Sequence, residues 1–181
     1  MALGKKIFFS SLTLLLVSSL FVFAKPNFST DTNKSLEHGT KAENGSRRVI
    51  RVIDGDTLVL SPNEKIRLIG VDTPETKHPK RSVECFGQEA REFTKRMVAG
   101  KRIRLAFDQT NSALGHKDKY GRTLGYVYLE NGTFLNAEII RQGYGHAYTQ
   151  FPFRYLEEFR VLQRQARERG LGLWSSCRGS L

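Results

Sequence analysis

Between Val49 and Val71, short runs rich in β-branched residues alternate with turn-forming dipeptides, and this rhythm constrains the fold more than any other feature of the chain. Val49-Ile50-Arg51-Val52-Ile53 and Thr57-Leu58-Val59-Leu60 flank Asp54-Gly55, a pair suited to positive φ, so they read as a hairpin. Ser61-Pro62-Asn63-Glu64 turns the chain into a third strand over Ile66–Val71. Phe86, Ala90, Phe93 and Met97 then recur at helical spacing ahead of Gly100, which predicts a helix of about three turns. Ile103, Leu105 and Phe107 alternate with Arg102 and Arg104, a fourth strand with a basic outer face, and Thr123–Leu129 is a fifth, closed by Asn131-Gly132. A second helix spans about Phe134–Gln142 before Gly143. A third starts near Pro152, turns Tyr155, Phe159, Leu162 and Ala166 inward and stops at Gly170. Five short strands with one helix between the third and fourth, then two more helices, give an α+β chain built on a five-stranded OB-fold barrel, a frequent platform for single-stranded nucleic acid.

That domain covers 47–176 of 181 residues, and 39% hydrophobic content is enough for one core. Residues 1–24 combine Lys5 and Lys6, an apolar run from Ile7 to Phe23 and the small residue Ala24, the pattern of a cleaved export signal. The alternative is an uncleaved anchor, since the run approaches the length that spans a bilayer, but its serines and threonine weigh against that. Residues 25–46, polar apart from Phe28 and Leu36, read as a disordered linker, and 177–181 as a tail. The net charge of +11 falls to +9 without Lys5 and Lys6, so a basic protein reaches its destination, secreted or periplasmic, and its partner is anionic. The two cysteines, Cys85 and Cys177, can pair in an oxidising compartment; the alternative is two free thiols.

Carboxylates gather at the expected strand ends: Asp54 and Asp56 in the first turn, Asp72 and Glu75 just past the third strand. Oxygen ligands of this kind suit a hard divalent cation such as calcium, although each pair taken singly also makes an ordinary turn or strand end. Arg67 shares a strand face with Ile69 and Val71, among largely apolar neighbours, and therefore calls for an anionic partner. Arg122 opens the fifth strand. Two fixed guanidinium groups beside a cation site are what phosphoryl transfer requires, because charge builds on the equatorial phosphate oxygens. Arg102, Arg104, Lys77, Lys80, Lys95 and Lys101 form either a phosphate-tracking surface or an ordinary solvated one.

Three segments, Ile53-Asp54-Gly55-Asp56-Thr57, Arg67 through Thr76 (Arg-Leu-Ile-Gly-Val-Asp-Thr-Pro-Glu-Thr) and Asp118-Lys119-Tyr120-Gly121-Arg122, resemble the signatures of the staphylococcal nuclease (thermonuclease) family. The resemblance runs from about Arg48 to Trp174 and includes Gly87-Gln88-Glu89-Ala90, Asn136-Ala137-Glu138 and Leu173-Trp174-Ser175. It implies a calcium-dependent endonuclease that cuts DNA and RNA, preferably unpaired, to products ending in 3′-phosphate. Calcium would be held by the carboxylates of Asp56 and Asp72 and the main-chain carbonyl of Thr73. Glu75 would serve as general base or water-positioning group, with Arg67 and Arg122 clamping the scissile phosphate. Lys119 and Tyr120 match contacts to a terminal phosphate, and Tyr148 matches a tyrosine flanking the nucleotide. Against the family pattern, the segment Gln109–Lys117 is longer, the turn at Pro62–Lys65 is shorter, and the two cysteines are additions.

The sequence assigns no role to His38, His78, His116 or His146, which lack the i, i+4 pairing of a zinc site. It points to a monomer with no lasting membrane association. Two competing functions remain: a noncatalytic nucleic-acid-binding barrel, and a basic adhesion protein that binds anionic polymers. The second leaves the carboxylates and arginines unexplained.

Overall fold

The computed structural model describes residues 40–76 and 83–177. The expected signal, 1–24, the linker up to residue 39, His78, Lys77 and Lys80 lie outside the described residues. Seven strands form: β1 (Thr40–Asp54), β2 (Thr57–Leu60), β3 (Glu64–Leu68), β4 (Val71–Asp72), β5 (Arg102–Asp108), β6 (Thr123–Leu129) and β7 (His146–Ala147). The helices are α1 (Gly87–Val98), α2 (Leu135–Arg141), α3 (Leu156–Glu168) and a single turn, α4 (Leu173–Ser176). Five strands close a barrel in the order β1-β2-β3-β6-β5, and β4 pairs with β7 beside it. All neighbours in the barrel are antiparallel except β3 and β6, which run parallel. This is the OB-fold expected from the element order.

Alternation explains the barrel walls. On β5, Ile103 and Leu105 are buried between exposed Arg102 and Arg104, so one face enters the core and the other meets water. Leu58, Leu60, Ile66, Leu68, Tyr126 and Val127 complete the interior, and Phe159 of α3 and Ile139 and Ile140 of α2 cover it. Asn136 is fully buried in α2 because its amide replaces missing ladder bonds. Its Oδ1 accepts from the Val127 N–H at 3.0 Å, and its Nδ2 donates to the carbonyls of Ile69 at 2.9 Å and Gly125 at 3.3 Å.

Three expectations are corrected. β1 begins at Thr40, so residues 40–46 are strand, not linker. Thr40, Lys41, Ala42 and Ser46 pair with Asp108, Phe107, Ala106 and Arg104 of β5. Ladder bonds use only backbone groups, and polar composition does not prevent an extended segment from covering an open sheet edge. The third strand does not run to Val71: it stops at Leu68, a turn follows, and Gly70 has φ +73°. A Cβ there would lie 2.6 Å from the Phe153 ring, so the bend is possible only with glycine. Gly55, by contrast, is not in the left-handed region; its glycine is needed because a Cβ would come within 2.7 Å of the Thr73 side chain.

Cys85 and Cys177 form the disulfide that the sequence left open against free thiols, with Cα atoms 5.9 Å apart, and Cys177 is buried rather than part of a free tail. The bridge ties the start of α1 to the end of α4.

Two stability outcomes follow. Asn136→Ala leaves the Val127 N–H and the Ile69 carbonyl without the Asn136 amide, while the Gly125 carbonyl keeps the Ile69 N–H, and is expected to cost at least about 2 kcal/mol in urea unfolding. Cys85→Ser with Cys177→Ser is expected to lower unfolding free energy by about 2 to 5 kcal/mol, and reductant should shift the parent's midpoint but not the variant's.

Candidate active site

Asp56 is the anchor of the site. It is 5% exposed. The Thr57 hydroxyl donates to its Oδ1 at 3.0 Å, and the Thr73 N–H donates to its Oδ2 at 2.8 Å. The Arg67 guanidinium lies 2.5 Å from the same Oδ2 through Nη1, and 2.9 Å from Asp72 Oδ1 through Nη2. Arg67 Nη1 also donates to the Val71 carbonyl at 2.7 Å. Arg67 thus sits among oxygens rather than the apolar neighbours expected of an unbroken strand. The strand break at Gly70 lets the chain fold back and bring Asp72 to it.

Two helix contacts hold the Asp54-Gly55-Asp56 turn. Thr94 of α1 donates to the Gly55 carbonyl at 2.6 Å, and Arg91 Nε donates to the Ile53 carbonyl at 3.1 Å. α1 also fixes the backbone of Glu75. The Glu75 N–H donates to Glu84 Oε2 at 3.0 Å, the Glu84 N–H returns to the Glu75 carbonyl at 3.0 Å, and a Cβ on Gly87 would lie 2.9 Å from that carbonyl. The Glu75 side chain itself stays exposed.

The electrostatics follow from crowding of like charge. Burial, then the neighbouring Asp56 carboxylate, push the Asp54 carboxyl up to about 7. Partial burial and the Asp56 charge raise Asp72 despite Arg67. Glu75 is raised by the same two causes, in the same order. Arg67 is raised: burial acts to lower it, but the charges of Asp56, Asp72 and Asp54 outweigh that. Asp54 Oδ1 and Thr73 Oγ1 are buried without a hydrogen-bond partner. Among the described residues no group of three or more His, Cys, Asp or Glu is placed to hold a metal ion. The carboxylates near Arg67 and the two unsatisfied buried oxygens are nevertheless donors of the type that a hard cation takes.

Arg122 stands just before β6, the strand that pairs with the one carrying Arg67. β3 and β6 pair Arg67 with Leu124, and Arg122 lies two residues from Leu124 along the same chain. Its Nε donates to Asp118 Oδ2 at 2.7 Å, while Asp118 Oδ1 accepts the N–H groups of Tyr120 and Arg122 at 2.9 Å each. Burial acts to raise Asp118, but these hydrogen bonds hold it below the usual carboxylate range. The exposed Tyr120 ring lies between two cations, with Lys119 Nζ 5.1 Å and the Arg122 guanidinium 5.4 Å from its centroid. Tyr148 is tied to the Gly70 carbonyl through its N–H at 2.9 Å, and its hydroxyl donates to Gln150 at 2.9 Å.

Of the residues singled out from sequence, Asp56, Arg67, Asp72, Thr73 and Glu75 form one cluster. Arg122, Lys119 and Tyr120 form a second, and Tyr148 stands at the Gly70 bend. Sequence reasoning noted Asp54 as a carboxylate but gave it no function, although its charge acts on Arg67 after those of Asp56 and Asp72. It also passed over Asp118, the counterion of Arg122, and His146, which pairs with Asp72 across β4 and β7. The signal for Asp118 was present in its spacing, four residues before Arg122.

A family model described as staphylococcal nuclease homologue matches residues 65–176. The chain is 35% identical to the thermonuclease of Staphylococcus hyicus over 168 residues, 90% of this chain and 96% of that protein. It is 36% identical to the thermonuclease of Staphylococcus intermedius over 177 residues, 94% of this chain and 98% of that protein. Endonuclease YncB of Bacillus subtilis (strain 168) is 35% identical over 130 residues, 69% of this chain and 59% of that protein. With its barrel, its carboxylate-bound arginine and these matches along most of its length, the chain belongs to the staphylococcal nuclease family.

Proposed function

We propose that this nuclease is a calcium-dependent endonuclease that hydrolyses phosphodiester bonds of DNA and RNA, preferably unpaired, and leaves 3′-phosphate ends. The observation that carries it is the half-buried Arg67 held between Asp56 and Asp72, with the raised carboxyl of Glu75 beside them and Arg122 at the start of the strand paired with that of Arg67. Asp56, Asp72 and the main-chain carbonyl of Thr73 would hold calcium. Bound there, calcium supplies positive charge against the phosphodiester.

The protein's own groups do the rest. Arg67 and Arg122 present guanidinium groups that meet phosphate oxygens and stabilise the charge that builds on them. Asp118 keeps Arg122 oriented before substrate arrives. Glu75 positions water and accepts its proton, and a carboxyl raised above its ordinary range is the stronger base. The water oxygen bonds to phosphorus as its proton passes to Glu75, the bond from phosphorus to the 5′-oxygen breaks, and that oxygen takes a proton from solvent and leaves as the 5′-hydroxyl while phosphate stays on the 3′ side. Lys119 and Tyr120 bind a neighbouring phosphate, and Tyr148 flanks the nucleotide. The export-signal pattern and the disulfide support a monomeric enzyme working outside the cytoplasm, where calcium is abundant.

Cleavage of single-stranded DNA by the purified protein, with calcium, with magnesium alone and with chelator, tests this directly. Cleavage in calcium that chelator abolishes is expected; salt-sensitive binding without cleavage in either metal would leave a noncatalytic barrel. Arg67→Ala, Arg122→Ala and Glu75→Ala are each expected to lower turnover more than about a hundredfold with the barrel still folded by circular dichroism. Full activity in any one removes that residue from the mechanism. Asp56→Ala should move the calcium titration to higher concentration, and an unmoved titration would place the cation elsewhere.

A further inference from the structure

The outer face of β1, β5 and β6 carries a row of arginines that the catalytic cluster does not use. β1 and β5 place Arg48 directly opposite Arg102, and Ser46 opposite Arg104. β5 and β6 place Arg104 opposite Tyr128. Cross-strand partners share a face, as do residues two apart, so Arg48, Arg102, Arg104 and Tyr128 all project from the same side. Arg48, Arg102 and Arg104 are exposed. The Tyr128 hydroxyl lies 3.3 Å from that of Tyr155, and the Arg154 guanidinium is 5.5 Å from the Tyr155 ring, which extends the row by a fourth cation.

Like charges directly opposite across a ladder destabilise a sheet. Here none of the four arginines forms an ion pair with a described carboxylate. Glu130, which the register brings nearest to Arg102, makes no such pair among the described residues. The guanidinium groups of Arg102 and Arg104 are nevertheless held in place. Arg102 donates to Ser46 Oγ through Nε at 2.8 Å and to the Ser46 carbonyl through Nη2 at 2.5 Å, leaving Nη1 outward. Arg104 lies 4.5 Å above the Tyr128 ring centroid, which fixes its plane and leaves its N–H groups to an external acceptor. Arg154 Nη1 is buried with no partner. Cations ordered by neutral groups and kept apart from carboxylates are prepared for an anion from outside the chain.

We propose that Arg48, Arg102, Arg104 and Arg154 bind the phosphodiester backbone of the nucleic-acid substrate at a second site, apart from the carboxylate cluster. Arg48 lies six residues before Asp54 on β1, roughly 20 Å of strand. Arg102 and Arg104 stand roughly 7 Å apart along β5, about twice the rise per nucleotide of a B-form strand, so neighbouring arginines can meet phosphates of one backbone. Charge complementarity and a row without sequence-reading groups suit a repeating polyphosphate. The occupant rests on the nuclease assignment; the site would make long substrates bind better than short ones without altering the chemical step.

The test compares the parent with Arg48→Ala/Arg102→Ala/Arg104→Ala, and with a control of equal charge loss on α3 and its C-cap, Arg160→Ala/Arg164→Ala/Arg169→Ala. Binding of a long single-stranded oligodeoxynucleotide is followed by fluorescence anisotropy in chelator across a salt series. The row variant is expected to lower the slope of log affinity against log salt by about 2, the share of three phosphate contacts, while the control leaves it unchanged. Its KM for long DNA should rise, with kcat and the cleavage of a dinucleotide unaltered. Arg48→Ala/Arg104→Ala, which keeps the bonds of Arg102 to Ser46, should show part of the same loss if the triple variant does not fold. An unchanged slope in a folded variant, or equal losses in row and control, overturns the site. Loss of binding to phosphatidylglycerol–phosphatidylcholine vesicles with DNA affinity retained would also overturn it and make the occupant a membrane. Failure of the parent to cut long single-stranded DNA in any metal would sink the nuclease assignment instead, while the salt slope would still decide the row.

Discussion

One buried carboxylate holds the site together. Asp56 stands at the end of the first hairpin, yet its partners come from β2, β3 and the segment after β4: the Thr57 hydroxyl, the Arg67 guanidinium and the Thr73 N–H. A carboxylate removed from water at that point is tolerable only because all of these donors converge on it. The requirement propagates outward. Thr73 must come close enough to reach Asp56, which leaves no room for a side chain at residue 55. The chain must bend after Leu68 to return Thr73, which demands the left-handed Gly70. Asn136 then receives the Ile69 carbonyl that the bend would otherwise leave without a partner.

Charge balance at this place is deliberately incomplete in chemical terms. One arginine answers several carboxylates, and Asp54 remains raised with an unbonded oxygen. A chain selected only for stability would replace such a group by an apolar one. Retaining it is consistent with a site whose last positive charge arrives from solution as a cation. The outer strands are opposite in sign: there Arg102 and Arg104 are held by Ser46 and Tyr128 rather than by carboxylates.

Much of this was legible in the residues. The alternation on β5 and the run Thr123–Leu129 mark their strands because burial on one face leaves a period of two. The turns at Gly100, Gly132 and Gly143 are readable because each has φ well into the left-handed region. The segment 40–46 was not legible, since its pairing rests on backbone hydrogen bonds to β5 and leaves no pattern in side chains. The split between β3 and β4 was equally hidden: Ile69 and Val71 are apolar on either side of Gly70, and only the Phe153 ring packed against that glycine shows why the strand cannot continue. For the site, residue types announced the carboxylates and arginines, whereas the pairing of Arg67 with Asp56 and Asp72 depended on that bend.

The parallel pairing of β3 with β6 joins Ile66 to Thr123, residues far apart in the chain, with α1 and β5 formed between them. Contacts of such long range carry a large loop-closure entropy and form late in folding. Through this seam Arg67 comes to lie beside Leu124, two residues past Arg122. The juxtaposition is therefore a property of the closed barrel and not of any local segment, and no stretch of the chain can form it before β5 and β6 are in place.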